Sequence, residues 1–203
     1  MAAMTSRPDV SKIDQRVVLH GKTWADYDAQ LAIRGFEGRR PKLAYLEGVL
    51  ELMSPSKDHE RIKWHLGTVL EIYCTEVGIP ISGIGEWTLR DESEAAGLEP
   101  DECYFVGEDF DKPRPDLALE VVWTSGGLAK LEIYRRLKVT EVWFWDDDEI
   151  AVFRLGSTGY DRQARSTFVP NLDLAELARI ANGPQLSQIA LRDEVRARLL
   201  PHH

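Results

Sequence analysis

Asp116-Leu117-Ala118-Leu119-Glu120-Val121-Val122-Trp123 is an apolar run that opens on one acid and is interrupted by a second, and its reading decides the fold. Strand periodicity sets Asp116, Ala118 and Glu120 on one face and Leu117, Leu119 and Val121 on the other. A carboxylate among such neighbours is costly to bury unless it is paired, hydrogen-bonded or bound to metal. Two readings stay open here: Glu120 belongs to a site, or the strand lies at a sheet edge with Glu120 in water.

Upstream, Asp101 follows Pro100 at the start of a strand predicted over 101–106, and the intervening loop is long enough for a hairpin-like return. That spacing permits side-by-side carboxylates on neighbouring strands. Cutting a phosphodiester calls for a metal ion that offsets developing charge and lowers the pKa of an attacking water, and magnesium takes hard oxygen ligands of this kind.

Further upstream, Leu43-Ala44-Tyr45-Leu46 and Val49-Leu50-Glu51-Leu52-Met53 flank Glu47-Gly48, which predicts an N-terminal β-hairpin. Thr23 and Asp26 form a capping-box pattern ahead of Trp24, Tyr27 and Leu31, so a short helix ends near Gly35. Ile62, Leu66, Val69, Leu70, Tyr73 and Val77 mark the longest helix, 58–77, entered from Ser54-Pro55-Ser56 and closed by Gly78. Strand-like segments follow at 79–82 and 86–89, then an acidic, glycine-containing loop.

Downstream, 128–138 reads as a helix, and 141–145 and 150–155 as a strand pair. The last forty residues are helix-prone, with Leu172, Leu174, Leu177 and Ile180 in one segment and Leu186, Ile189, Leu191, Val195 and Leu199 in another, which suits packing or dimerisation. Strands precede and follow helices, so the class is α/β with a mixed sheet flanked by helices.

The chain of 203 residues, 43% hydrophobic and 29% charged, fits one domain better than two. No run approaches the roughly 18 apolar residues of a membrane helix, so a cytoplasmic protein without membrane association is expected. Cys74 and Cys103 have no zinc or disulfide spacing and are assigned to packing, and Pro201-His202-His203 is too short for a metal site. A net charge of −9 argues against strong nonspecific nucleic-acid binding. The clusters Arg34/Arg39/Arg40, Arg135/Arg136/Lys138 and Arg162/Arg165 either line one basic face or are scattered solvated charges.

The order Pro100-Asp101, Asp116-Leu117-Ala118-Leu119-Glu120-Val121, Lys130-Leu131-Glu132-Ile133-Tyr134 and Glu141-Val142-Trp143-Phe144-Trp145-Asp146 resembles the Uma-two family, placed among the PD-(D/E)XK nucleases. The hairpin at 45–50, the Met53-Ser54-Pro55 turn and His59 also match, so the resemblance covers about 42–180. It implies a restriction-endonuclease-like mixed β-sheet core with helices on both sides. It also implies Asp101 and Glu120 as ligands of Mg2+ or Mn2+, and Lys130 as the amine that orients or activates the attacking water. A standard PD-(D/E)XK lysine would stand at position 122, which is Val122; Lys130 on the following helix resembles the migrated lysine of this family. A second departure is Trp123-Thr124-Ser125-Gly126-Gly127, where the family usually shows a Ser-Pro-Ser/Thr turn.

On this basis residues 1–22 are an N-terminal arm, 23–182 a nuclease-like domain and 183–203 a C-terminal helical extension. The expected function is metal-dependent hydrolysis of DNA phosphodiesters by a homodimer, since two strand cuts are made conveniently by two sites. The alternative is a catalytically inactive nuclease fold kept as a binding or assembly module. His59 is an auxiliary candidate, as proton shuttle or metal neighbour, or else it caps the long helix with Asp58. Glu47 is a turn residue or an added acidic ligand, Asp116 tunes Glu120 or bonds a loop, and His20 and His65 are surface or packing residues.

Overall fold

The structure is a computed structural model that describes residues 13–35, 40–85, 87–122, 129–146 and 148–200. Arg39, the 123–127 turn, the chain up to residue 12 and Pro201-His202-His203 lie outside the described residues. In chain order the elements are β1 (Gln15–His20), α1 (Trp24–Arg34), β2 (Lys42–Leu46), β3 (Val49–Ser54), α2 (Lys57–Val77), β4 (Ile81–Gly83), β5 (Leu89–Asp91) and β6 (Ala96–Leu98). They continue with β7 (Glu102–Val106), β8 (Leu117–Val121), α3 (Lys130–Arg136), β9 (Glu141–Asp146), β10 (Glu149–Leu155), β11 (Tyr160–Gln163), α4 (Leu174–Asn182) and α5 (Gln188–Arg198).

The strands form two sheets. One is antiparallel throughout, in the order β1-β3-β2-β6-β5. The other runs β11-β10-β9-β8-β7-β4 and is mixed, because β8 and β9 are parallel while their outer neighbours are antiparallel. The expectation of a mixed sheet flanked by helices is met, and the predicted hairpin turns out to be the centre of a second sheet.

Strand β8 is central rather than an edge. Leu117, Leu119 and Val121 pack with Ile62, Leu66 and Leu70 of α2, while Ala118 packs with Ile133 and Tyr134 of α3 and Val142 of β9. Covering on both faces explains the nearly continuous apolar run, and it closes the option of a solvated Glu120. The apolar faces of α4 and α5 lie against α2: Leu177, Ala181, Leu191 and Val195 join the same core cluster. The packing reading of the C-terminal segments therefore holds for these residues, while Ile189 is 66% exposed. His65 belongs to this packing, with Nδ1 3.0 Å from the Ala181 carbonyl and Nε2 accepting from the Leu186 amide.

Local sequence explains the entry points. The Thr23 hydroxyl accepts from the Asp26 amide and the Asp26 carboxylate accepts from the Thr23 amide, so the capping box of α1 is complete. Glu47 and Gly48 both take positive φ, 45° and 90°, which a two-residue hairpin turn requires. At the start of α2 the cap is Ser56, whose hydroxyl accepts from the His59 amide; His59 and Asp58 are not the capping groups. In the antiparallel sheet a Cβ on Gly97 would stand 2.6 Å from the Tyr27 hydroxyl, so only glycine lets β6 pass beneath α1.

Three strands escaped the sequence reading. The acidic loop after residue 89 is a hairpin, β5 to β6, and β11 adds an edge to the mixed sheet. Residues 15–20, inside the expected arm, form β1, an edge strand on β3 whose side chains are largely exposed. The two sheets join at Glu99-Pro100-Asp101, which links β6 to β7. The Glu99 carboxylate anchors this bridge by accepting from Arg34, the Leu43 amide and Thr88.

Candidate active site

The register of β7 and β8 pairs Glu102 with Leu119, so Asp101, one step further, faces Glu120 across the strand pair. Both carboxylates are completely buried. The Val121 amide donates to Asp101 Oδ2 at 2.8 Å, which locks the acid to the neighbouring strand. Lys42, at the start of β2, donates through Nζ to Asp101 Oδ1 at 2.8 Å and to the Pro100 carbonyl at 2.9 Å. His59 Nε2 lies 3.0 Å from Asp101 Oδ2, an ion-pair contact set off the hydrogen-bond axis. Its Nδ1 lies 2.9 Å from Asp14 Oδ2, and Asp14 in turn accepts from the Ser56 amide at 2.7 Å.

Glu120 is served from α3. Lys130 Nζ is 2.5 Å from Oε2, and the Tyr134 hydroxyl donates to Oε1. Lys130 and Tyr134 are four residues apart, so one helical face presents both donors to one carboxylate. Glu51 on β3 is also buried; it pairs with Arg16, and its field reaches Lys130.

Burial alone would raise the Asp101 pKa, but Lys42, His59 and Lys130 outweigh it and hold the carboxyl well below the usual range. Glu120 goes the other way: burial and the Asp101 charge raise it against the opposing pull of Lys130 and Tyr134. The two acids thus divide into a firmly ionised one and one that holds a proton more readily, a contrast typical of acid–base sites. Burial would lower Lys130, yet Glu120 and Asp101 keep its amine raised. Burial would also lower His59, yet Asp101 and Asp14 push it up to about 9.

The structure brings Asp101, Glu120 and Lys130 into one cluster, with His59 attached through Asp101. Glu47 does not join them: its side chain is 63% exposed at the hairpin turn and pairs with Arg136. Asp116 bonds its loop, accepting from the Val106 amide and Lys112. Lys42, Tyr134, Asp14 and Glu51 were missed as partners. A lysine opening the otherwise apolar strand Lys42-Leu43-Ala44-Tyr45-Leu46 was the available signal for the first, and the i+4 spacing from Lys130 for the second. Asp14 had no local signal.

Among the described residues no group of three or more His, Cys, Asp or Glu has metal-holding geometry. The donor chemistry nonetheless fits magnesium, which is commonly held by one or two carboxylates and completed by water and substrate phosphate. Each carboxylate offers about four lone-pair positions; Lys42, His59 and the Val121 amide use part of those on Asp101, and Lys130 and Tyr134 part of those on Glu120. The surface grooves beside Arg165 and Ala175 and beside Tyr73 and Leu200 contain none of these side chains.

Several members of the basic clusters are paired with acids of the chain. Arg34 pairs with Glu99, Arg40 with Glu60, Arg135 and Arg136 with Glu132, and Arg162 with Glu149. Among the described residues no helix is long and apolar enough to cross a membrane.

A family model, Uma2, described as "Putative restriction endonuclease", matches residues 24–187. The match contains Lys42, His59, Asp101, Glu120, Lys130 and Tyr134, while Asp14 precedes it. No curated protein matches the chain.

Proposed function

Since the chain belongs to the Uma2 family, we propose that it is a divalent-metal-dependent endonuclease that hydrolyses DNA phosphodiester bonds, with Asp101 and Glu120 as ligands of Mg2+ or Mn2+. The single observation that carries this reading is the meeting of two fully buried acids on adjacent strands with a lysine from the next helix against one of them. A bound divalent cation would supply charge neutralisation at the phosphate and a more acidic attacking water.

The chain's own residues do the rest. Asp101, kept ionised by Lys42 and His59, provides a permanent negative ligand. Tyr134 and Lys130 fix the Glu120 carboxylate from both oxygens. Lys130 is the positioning amine: with one N–H directed at Glu120, its remaining donors hold the attacking water and the phosphate oxygens. The attacking water gives up one proton to solvent as its oxygen bonds to phosphorus, the bond to the 3′ oxygen breaks, and the leaving oxygen takes a proton from solvent, giving 5′-phosphate and 3′-hydroxyl ends. Glu120→Ala is expected to abolish Mn2+-dependent cleavage of duplex DNA while circular dichroism stays native; retained cleavage refutes the assignment.

A second reading, a non-catalytic binding or assembly module, is favoured by one observation: Lys42 and His59 already balance Asp101. Calorimetric titration with Mn2+ separates the two. Binding that Glu120→Ala removes supports the nuclease, and absence of any such binding supports the module.

A further inference from the structure

His59 is oriented by more than its contact with Asp101. The ring is completely buried, and each nitrogen faces a carboxylate oxygen: Nδ1 that of Asp14 at 2.9 Å, Nε2 that of Asp101 at 3.0 Å. Nδ1 is hydrogen-bonded to Asp14, and Nε2 stands against Asp101 off the hydrogen-bond axis, so the ring is wedged between the two carboxylates. Asp14 is itself held by the Ser56 amide at 2.7 Å, and Ser56 is the N-cap of α2. The helix start thus fixes Asp14, Asp14 fixes the ring, and the ring bears on the Oδ2 atom that also accepts the Val121 amide.

We propose that Asp14 and His59 form one positioning unit that sets the orientation of the Asp101 carboxylate, so that the segment preceding β1, outside the stretch matched by the family model, is a working part of the site. The inference deepens the nuclease reading and rests on it for its functional meaning. In this unit His59 acts through Asp101, as a positioning residue. Its role is that of the partners that orient a metal's direct ligands, whose loss typically lowers metal affinity by about 10- to 100-fold.

The test uses the full chain carrying Asp14→Asn, His59→Asn or His59→Gln. Asn at position 14 keeps the shape and an acceptor but removes the charge. A glutamine amide reaches where Nε2 stands and keeps a donor toward Asp101; an asparagine amide reaches only where Nδ1 stands. Two readouts are taken on folded protein: the Val121 amide resonance recorded without metal, and Mn2+ affinity by calorimetry. Asp14→Asn and His59→Asn should shift the Val121 resonance and weaken Mn2+ binding by about 10- to 100-fold, while His59→Gln recovers most of both. A residue that only fills space would not distinguish glutamine from asparagine in this order. Native-like resonance and affinity in Asp14→Asn and His59→Asn would overturn the proposal. Should the native chain bind no Mn2+, the nuclease reading falls, and the Val121 resonance alone decides: displaced, it supports the positioning unit; unmoved, it rejects it.

Discussion

Replacing Lys42 by methionine tests the electrostatics of the cluster most directly, because the two side chains have similar length and only the charge and its donors are lost. At the observed 2.8 Å separation from Asp101, the attraction at an effective dielectric constant of about 20 is on the order of 6 kcal/mol before desolvation is counted. Breaking one partner of a buried pair commonly costs about 3–5 kcal/mol. His59 and the Val121 amide remain on Asp101, so the lower end, about 3 kcal/mol, is expected, or roughly 6–12 °C in melting temperature for a chain of this size. The sign with pH follows from the depressed Asp101 pKa. The contribution is fully present above the unfolded-state value of about 3.9 and is lost as pH falls through the folded-state value. Urea unfolding of native and Lys42→Met chains should therefore differ by about 3 kcal/mol at pH 7 and converge in strong acid. A difference below about 1 kcal/mol at pH 7, or one that does not shrink on acidification, would refute the view that Lys42 is the counter-ion of a buried, ionised Asp101.

Tyr134→Phe removes the hydroxyl that donates to Glu120 and should lower stability by about 1.5–3 kcal/mol, the usual worth of a hydrogen bond to a charged group, read by thermal melting with an unchanged far-ultraviolet spectrum. Glu102 is expected to act in the opposite sense to Asp101, since burial pushes its carboxyl up to about 7. The folded state then holds a proton that the unfolded state releases near pH 4.5, so stability falls as pH rises from about 4.5 to 7. Glu102→Gln should flatten that slope in urea titrations, and an unchanged slope would assign it to another group.

How much of this was legible follows from the range of the interactions. The hairpin at β2 and β3, the long helix α2 and the capping box of α1 were readable because their signals are local: Glu47-Gly48, Ser56 with Gly78, and Thr23 with Asp26. The approach of Asp101 to Glu120 was readable because two strands joined by a loop pair by default, and Lys130 was singled out by family likeness. Lys42 and His59 reach Asp101 from other elements and Asp14 reaches His59, and no spacing along the chain announces such meetings. Strands β1, β6 and β11 were missed for a different reason. They are short or lie at sheet edges, where both faces are alike and alternation fades.

The bridge Glu99-Pro100-Asp101 makes this part of the chain intolerant of changes in length. Only three residues pass from β6 to β7, and each end is tied to its own sheet. Gaining or losing one residue there would turn every β7 side chain to the opposite face, or else carry the acid away from its partner across the strand pair. Surface loops elsewhere in the molecule can lengthen and shorten as descendants diverge, but insertions and deletions at this crossing should be purged.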